Sequence, residues 1–195
     1  MRILFHLAIL VSALAVAKLA DADDAVECTR DALSLSHFGR DFDACHRVAK
    51  EGSPLAEYVL GEMYNRGLGV PRDYSEGSVW LRRAADQGFA PAQTALGYMF
   101  QQGQGMSVNH AEAVEWYRKA AEQGYAEAQH KLGVQYSEGW GVSQDYVLAY
   151  MWLSLAGTTT ETSAHVDRAT VIKRMSKQQI ETAEQLVRAW KPTSP

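Results

Sequence analysis

The sequence is poor in cysteine, has no excess of positive charge and lacks every short motif of phosphate, metal or serine chemistry. With 19 Lys and Arg against 23 Asp and Glu, the formal net charge is −4. A general nucleic-acid binder would need a basic stripe, so that class is excluded, and neither an acidic nor a basic tail is present. Gly67-Leu68-Gly69 begins a dinucleotide fingerprint, but Arg72 stands where its third glycine belongs, and Val108 and Gln144 take that place later. Histidines 37, 46, 110, 130 and 165 include no pair four apart. A zinc ion among Cys28, His37, Cys45 and His46 lacks the short Cys-x-x-Cys hinge, so no metal site is expected. There is no Gly-x-Ser-x-Gly elbow and no Ser-x-x-Lys, Ser-Asp-Asn or Lys-Thr-Gly set. The carboxylates fall on helix positions expected to face solvent, where solvation is their ordinary role. No catalytic residue and no cofactor is expected.

Only one long apolar run exists. Met1-Arg2 supplies a positive start, Ile3 to Ala17 is apolar apart from His6 and Ser12, and small residues follow at Ala15-Val16-Ala17 and Ala20-Asp21-Ala22. The run is about 15 residues, short of the roughly 20 that span a bilayer. The pattern is that of a secretory signal over residues 1–22, cleaved after Ala17 or Ala22. The expected location is the periplasm or the exterior, with no membrane span after cleavage. Cys28 and Cys45 then lie in an oxidising compartment, where an isolated pair is expected to bridge.

What the chain does have is a repeat. Shifted by 36 residues it aligns with itself twice without a gap. Leu60-Gly61 returns as Leu96-Gly97 and Leu132-Gly133, and Tyr64 as Phe100 and Tyr136. Gly67 and Gly69 return as Gly103 and Gly105, then Gly139 and Gly141. Trp80 returns as Trp116 and Trp152, and Ala56 as Ala92 and Ala128. Each unit reads as two helices. Ala56, Leu60 and Tyr64 form one face of the first. Gly67 stops it, and Asp73, Asn109 and Asp145 are cap types that open the second. The tryptophan column recurs too strictly for a ligand box and is expected to be core, whereas Trp140, between two glycines, lies outside the column and is a candidate for contact with a partner.

The organisation that follows is a signal at 1–22, a divergent helical hairpin at 23–52 turning at His37-Phe38-Gly39-Arg40, and repeats at 53–88, 89–124 and 125–160. Capping helices and a tail fill 161–195. The last helix opens with the capping box Ser176-x-x-Gln179 and carries one apolar face, as the wet end of a stack requires.

The run Ala56…Leu60-Gly61-x-x-Tyr64-x-x-Gly67-x-Gly69-Val70-x-x-Asp73…Trp80-x-x-x-Ala84-Ala85-x-x-Gly88 resembles the Sel-one-like repeat, a relative of the tetratricopeptide repeat. The resemblance implies an all-α fold, an α/α superhelical solenoid, serving as a non-catalytic scaffold or adaptor for a protein or peptide. A cysteine-rich exported branch of the family is linked to β-lactam binding or hydrolysis, but residues 53–157 contain no cysteine. A hydrolase acting on β-lactam or cell-wall substrates, and a structural subunit of an envelope complex, remain alternatives.

In tetratricopeptide-like stacks the first helices line the concave face. On a helical wheel set at Leu60, the side away from the core carries Tyr58, Glu62 and Asn65. Its counterparts are Thr94, Tyr98 and Gln101, then His130, Val134 and Ser137. These columns vary between units while the core columns do not, which suits a surface that reads a particular peptide.

Overall fold

The computed structural model describes Cys28 and residues 42–157 and 162–193. The expected signal segment, the turn at 37–40 and the Thr158–Thr160 loop lie outside the described residues. Among those described, all regular structure is helical: α1 Phe42–Lys50, α2 Pro54–Arg66, α3 Tyr74–Asp86, α4 Ala90–Gln102, α5 His110–Glu122, α6 Ala126–Glu138, α7 Tyr146–Ala156, α8 Thr162–Ile172 and α9 Lys177–Ala189. The chain divides between Trp80 and Leu81, inside α3, into two compact units.

In the first unit α1 packs on α2. Cys45 of α1 is bridged to Cys28, so the expected disulfide is present. Both sulfurs are thereby withdrawn from any metal. Around the bridge, Val48, Ala56, Val59, Leu60, Met63 and Trp80 form an apolar core. His46 lies between two rings, stacked on Phe42 at 5.6 Å and edge-on to Trp80 at 5.8 Å.

In the second unit α4 pairs with α5 and α6 with α7, while α8 and α9 pack on α7. Trp116 and Trp152 are buried, as is Trp80 in the first unit, so the tryptophan column is core as expected.

Local chemistry fixes where each helix starts and stops. Gly67, Gly103 and Gly139 end the first helices at φ 70, 69 and 74, the left-handed conformation that a side chain disfavours. Asp73 Oδ1 accepts from the Ser75 and Glu76 amides, Asn109 Oδ1 from Glu112, and Asp145 Oδ1 from Val147 and Leu148. The same three residues also close the hairpin with their own amides. Asp73 donates to Tyr64 O, Asn109 to Phe100 O and Asp145 to Tyr136 O, each at 2.9 Å.

Gly97 and Gly133 have a different reason to be glycine. A Cβ on Gly97 would lie 2.8 Å from the Tyr117 ring, and one on Gly133 would lie 2.7 Å from Leu153 Cγ. Helices α4 and α5, and likewise α6 and α7, approach so closely that only hydrogen fits between them.

The period also runs further than the sequence reading carried it. Ala164 and Val171 of α8 are buried and stand 36 residues after the buried Ala128 and Gln135. Helix α8 is therefore the first helix of a fourth unit, with Arg168 where Leu132 would recur. Helix α9 begins with the expected capping box at Ser176 and Gln179.

Candidate interaction surface

In the second unit the first helices α4 and α6 are each flanked by two second helices. On one side α4 takes the Tyr117 ring of α5 over Gly97. On the other, the Gln93 amide donates to the Ala85 carbonyl of α3 at 3.1 Å. Helix α6 repeats this, with Gln129 donating to the Ala121 carbonyl of α5 at 3.2 Å. Gln123 then donates to Gln93 Oε1 at 2.8 Å, extending the Gln93–Ala85 bond into a chain. These buried glutamines were not singled out from the sequence, although their 36-residue spacing was there to be read. Glu57 holds the corresponding place in the first unit and is 4% exposed, against the expectation that the carboxylates all face solvent.

Flanking on two sides narrows the exposed stripe. Of the nine residues assigned to it, Thr94 is buried at 3% exposure and its hydroxyl donates to the Ala90 carbonyl. That position does not belong to the surface: the wheel located one buried face, whereas the packed helix has more. Asn65 is half-buried, its Oδ1 occupying the space a side chain on Gly77 would need. Gln101 is turned inward in part, accepting from the Tyr117 hydroxyl at 2.8 Å. Burial pushes that hydroxyl's pKa well above its ordinary value, so Tyr117 stays a neutral donor. Val134 packs with Ala149, Leu153 and Ala164. Tyr58 packs with the first unit's core, and Glu62 pairs with Arg66 at 2.5 Å. Ser137 donates to Glu138.

Of the assigned residues in the second unit, Tyr98 is exposed, whereas the His130 side chain is largely buried, at 15% exposure, and is held by a neighbouring helix. Tyr98 is 40% exposed, with the Lys131 ammonium 5.6 Å from its ring centroid. His130 Nε2 lies 2.6 Å from Asp167 Oδ2 of α8, which orients the imidazole. Tyr98, His130, Lys131 and Asp167 thus come from α4, α6 and α8, three successive first helices. Lys131 and Asp167 were absent from the sequence assignment because a wheel on one helix does not reveal what the next helix brings beside it.

Trp140 forms a second exposed feature. It is 45% exposed and its ring tilts over His110 at 5.9 Å. Gly141, at φ 75, lets the loop backbone press against the His110 carbonyl. Among the described residues no three of His, Cys, Asp and Glu are grouped to hold a metal ion. No described helix is long and apolar enough to cross a membrane.

The 36-residue hairpins are matched by the model of the Sel1 repeat at residues 54–89, 90–125 and 126–158. The chain belongs to the Sel1 repeat family. Among solved structures, this Sel1 repeat protein is similar to a Sel1 repeat protein from Oxalobacter formigenes, with 30% identity and a TM-score of 0.73 over 84% of this chain and 68% of that one. It is also similar to a protective antigen present in uropathogenic Escherichia coli strains and displaying an SLR fold, with 34% identity and a TM-score of 0.72. That match covers 77% of this chain but 32% of the antigen, so this chain spans about a third of that relative's length. No curated protein matches the chain. The fold class is thus the all-α solenoid of Sel1 repeats, and repeats of this kind generally serve as scaffolds for protein interaction.

Proposed function

We propose that this Sel1 repeat protein is an exported, non-catalytic adaptor that holds a peptide or protein segment along its first-helix surface. In this reading residues 1–22 are a signal, residues 23–52 a bridged N-terminal hairpin and residues 161–195 the cap. The observation that carries it is the cluster of Tyr98, His130, Lys131 and Asp167. Three first helices contribute an exposed aromatic ring, a cation and a hydrogen-bonded imidazole–carboxylate pair. Such a set suits an extended peptide, offering hydrogen bonds to its backbone and a flat apolar face to its side chains. The disulfide supports export, since such bonds persist in oxidising compartments.

A photo-crosslinking amino acid placed at Tyr98, in cells, tests the surface. One partner should be captured there, and not from the same probe at Glu115 on α5. Identical capture from both positions would reject the surface. For export, the N-terminus of the mature chain should begin after Ala17 or Ala22; an intact Met1 start in the cytoplasmic fraction would reject it.

A further inference from the structure

Each tryptophan of the core column is met by a different neighbour. Trp80 is met edge-on by the His46 ring at 5.8 Å. Trp152 is met edge-on at 6.3 Å by Trp190 of the C-terminal tail, which with Pro192 folds onto Gly124. Trp116 is met by two cations. The Lys119 ammonium lies 3.9 Å and the Arg82 guanidinium 5.6 Å from its ring centroid. The same guanidinium lies 5.6 Å from the centroid of Phe100, so two rings hold it in place. Two like charges thus converge on one indole. Among the described residues neither has a carboxylate within ion-pairing distance.

The next unit shows what is missing. Arg118 is the counterpart of Arg82, 36 residues on. Its guanidinium pairs with Glu115 at 2.6 Å and donates to the Tyr136 hydroxyl at 3.3 Å. The counterpart of Glu115 is Val79, an apolar side chain 46% exposed. The carboxylate that neutralises Arg118 therefore has no equivalent beside Arg82. Lys119 adds a further charge where the next unit has Leu155. Arg82 and Lys119 are both exposed, so their charges are open to solvent. The Trp116 indole also buries its Nε1–H with no acceptor among the described residues. Guanidinium, ammonium and indole N–H are donors only.

We propose that Arg82 and Lys119, held against the Trp116 ring, bind a phosphate group. The guanidinium fork matches two phosphate oxygens and the ammonium a third, and the charge of a phosphate balances two cations where one carboxylate balances one. The indole N–H borders the site as a further donor. The chemistry is shared by free phosphate and by the phosphate monoester headgroup of a lipid. This site lies on the second helices α3 and α5 and uses none of the residues around Tyr98, so either can fail without the other.

The full chain is titrated with inorganic phosphate at constant ionic strength. In parallel it is floated with phosphatidylcholine vesicles, with and without phosphatidic acid. Saturable phosphate binding, or flotation that requires phosphatidic acid, is expected, and the arm that responds names the source. Val79→Glu restores a carboxylate beside Arg82 at an exposed position and should weaken binding about ten-fold or more, whereas the uncharged Val79→Gln should not. Arg82→Gln and Lys119→Gln should each weaken it similarly. Absence of binding in both arms, or binding equal in the wild type and Val79→Glu, would overturn the site. Equal weakening by Val79→Gln would overturn it too, because the unpaired charge would then not be what binds.

Discussion

Tyr117 lies across Gly97. The ring of α5 sits where a side chain on α4 would begin, and its hydroxyl reaches on to Gln101 at 2.8 Å. One residue's missing atom and another's ring are a single packing feature, and the ring ends in a hydrogen bond that holds it there. Gly97→Ala should therefore destabilise the chain by about 1–3 kcal/mol through overpacking, although alanine is the better helix former. Chemical denaturation gives the value directly; a neutral or stabilising effect would show that the hairpin is looser than its geometry.

Trp116 is the counterpart test on the large side. It is 5% exposed, so Trp116→Ala should cost about 3–5 kcal/mol. An unchanged melting temperature would contradict its place in the core.

Gln135 offers a stabilising change. It is 1% exposed, and among the described residues neither its Nε2 nor its Oε1 has a hydrogen-bond partner. Met63 and Met99 occupy the same place in the two preceding units. Gln135→Met keeps the length of the side chain and removes a buried, unsatisfied amide, so a gain of about 1–3 kcal/mol is expected. A lower melting temperature would mean that the amide is satisfied in solution, by water for instance.

The glutamine chain predicts the opposite sign. Gln93→Met removes one of the two partners of the Ala85 carbonyl and one of the two of the Gln123 amide at once, leaving the Gly88 amide and the Lys119 carbonyl in place. A loss of about 1–3 kcal/mol should result, in contrast to the gain at position 135. If both methionine variants move stability the same way, the hydrogen bonds of Gln93 do not distinguish the two sites.

The disulfide joins residues 17 apart and tethers Cys28 to α1. Replacing both cysteines by serine should lower stability by about 2–4 kcal/mol. Protein purified from the envelope under non-reducing conditions should titrate with no free thiol; two reactive thiols would overturn both the bridge and the export reading.

The sequence by itself determined the period, the helical hairpins, their glycine stops and Asx caps, and the burial of the tryptophans. These are local or periodic properties: a left-handed residue, a cap and an apolar face are each set within one or two turns of chain. The Leu-Gly columns were equally visible, but only packing supplied their reason, because the ring over Gly97 comes from twenty residues downstream. The surface was legible in part. A wheel sees one helix at a time and placed Thr94 outside, whereas burial depends on everything packed around that helix. Lys131 beside Tyr98, Asp167 beside His130 and the tail folded onto Gly124 all join residues from different helices. No spacing rule in the sequence announces such meetings; only the tertiary structure, which decides what lies across each groove, brings them together.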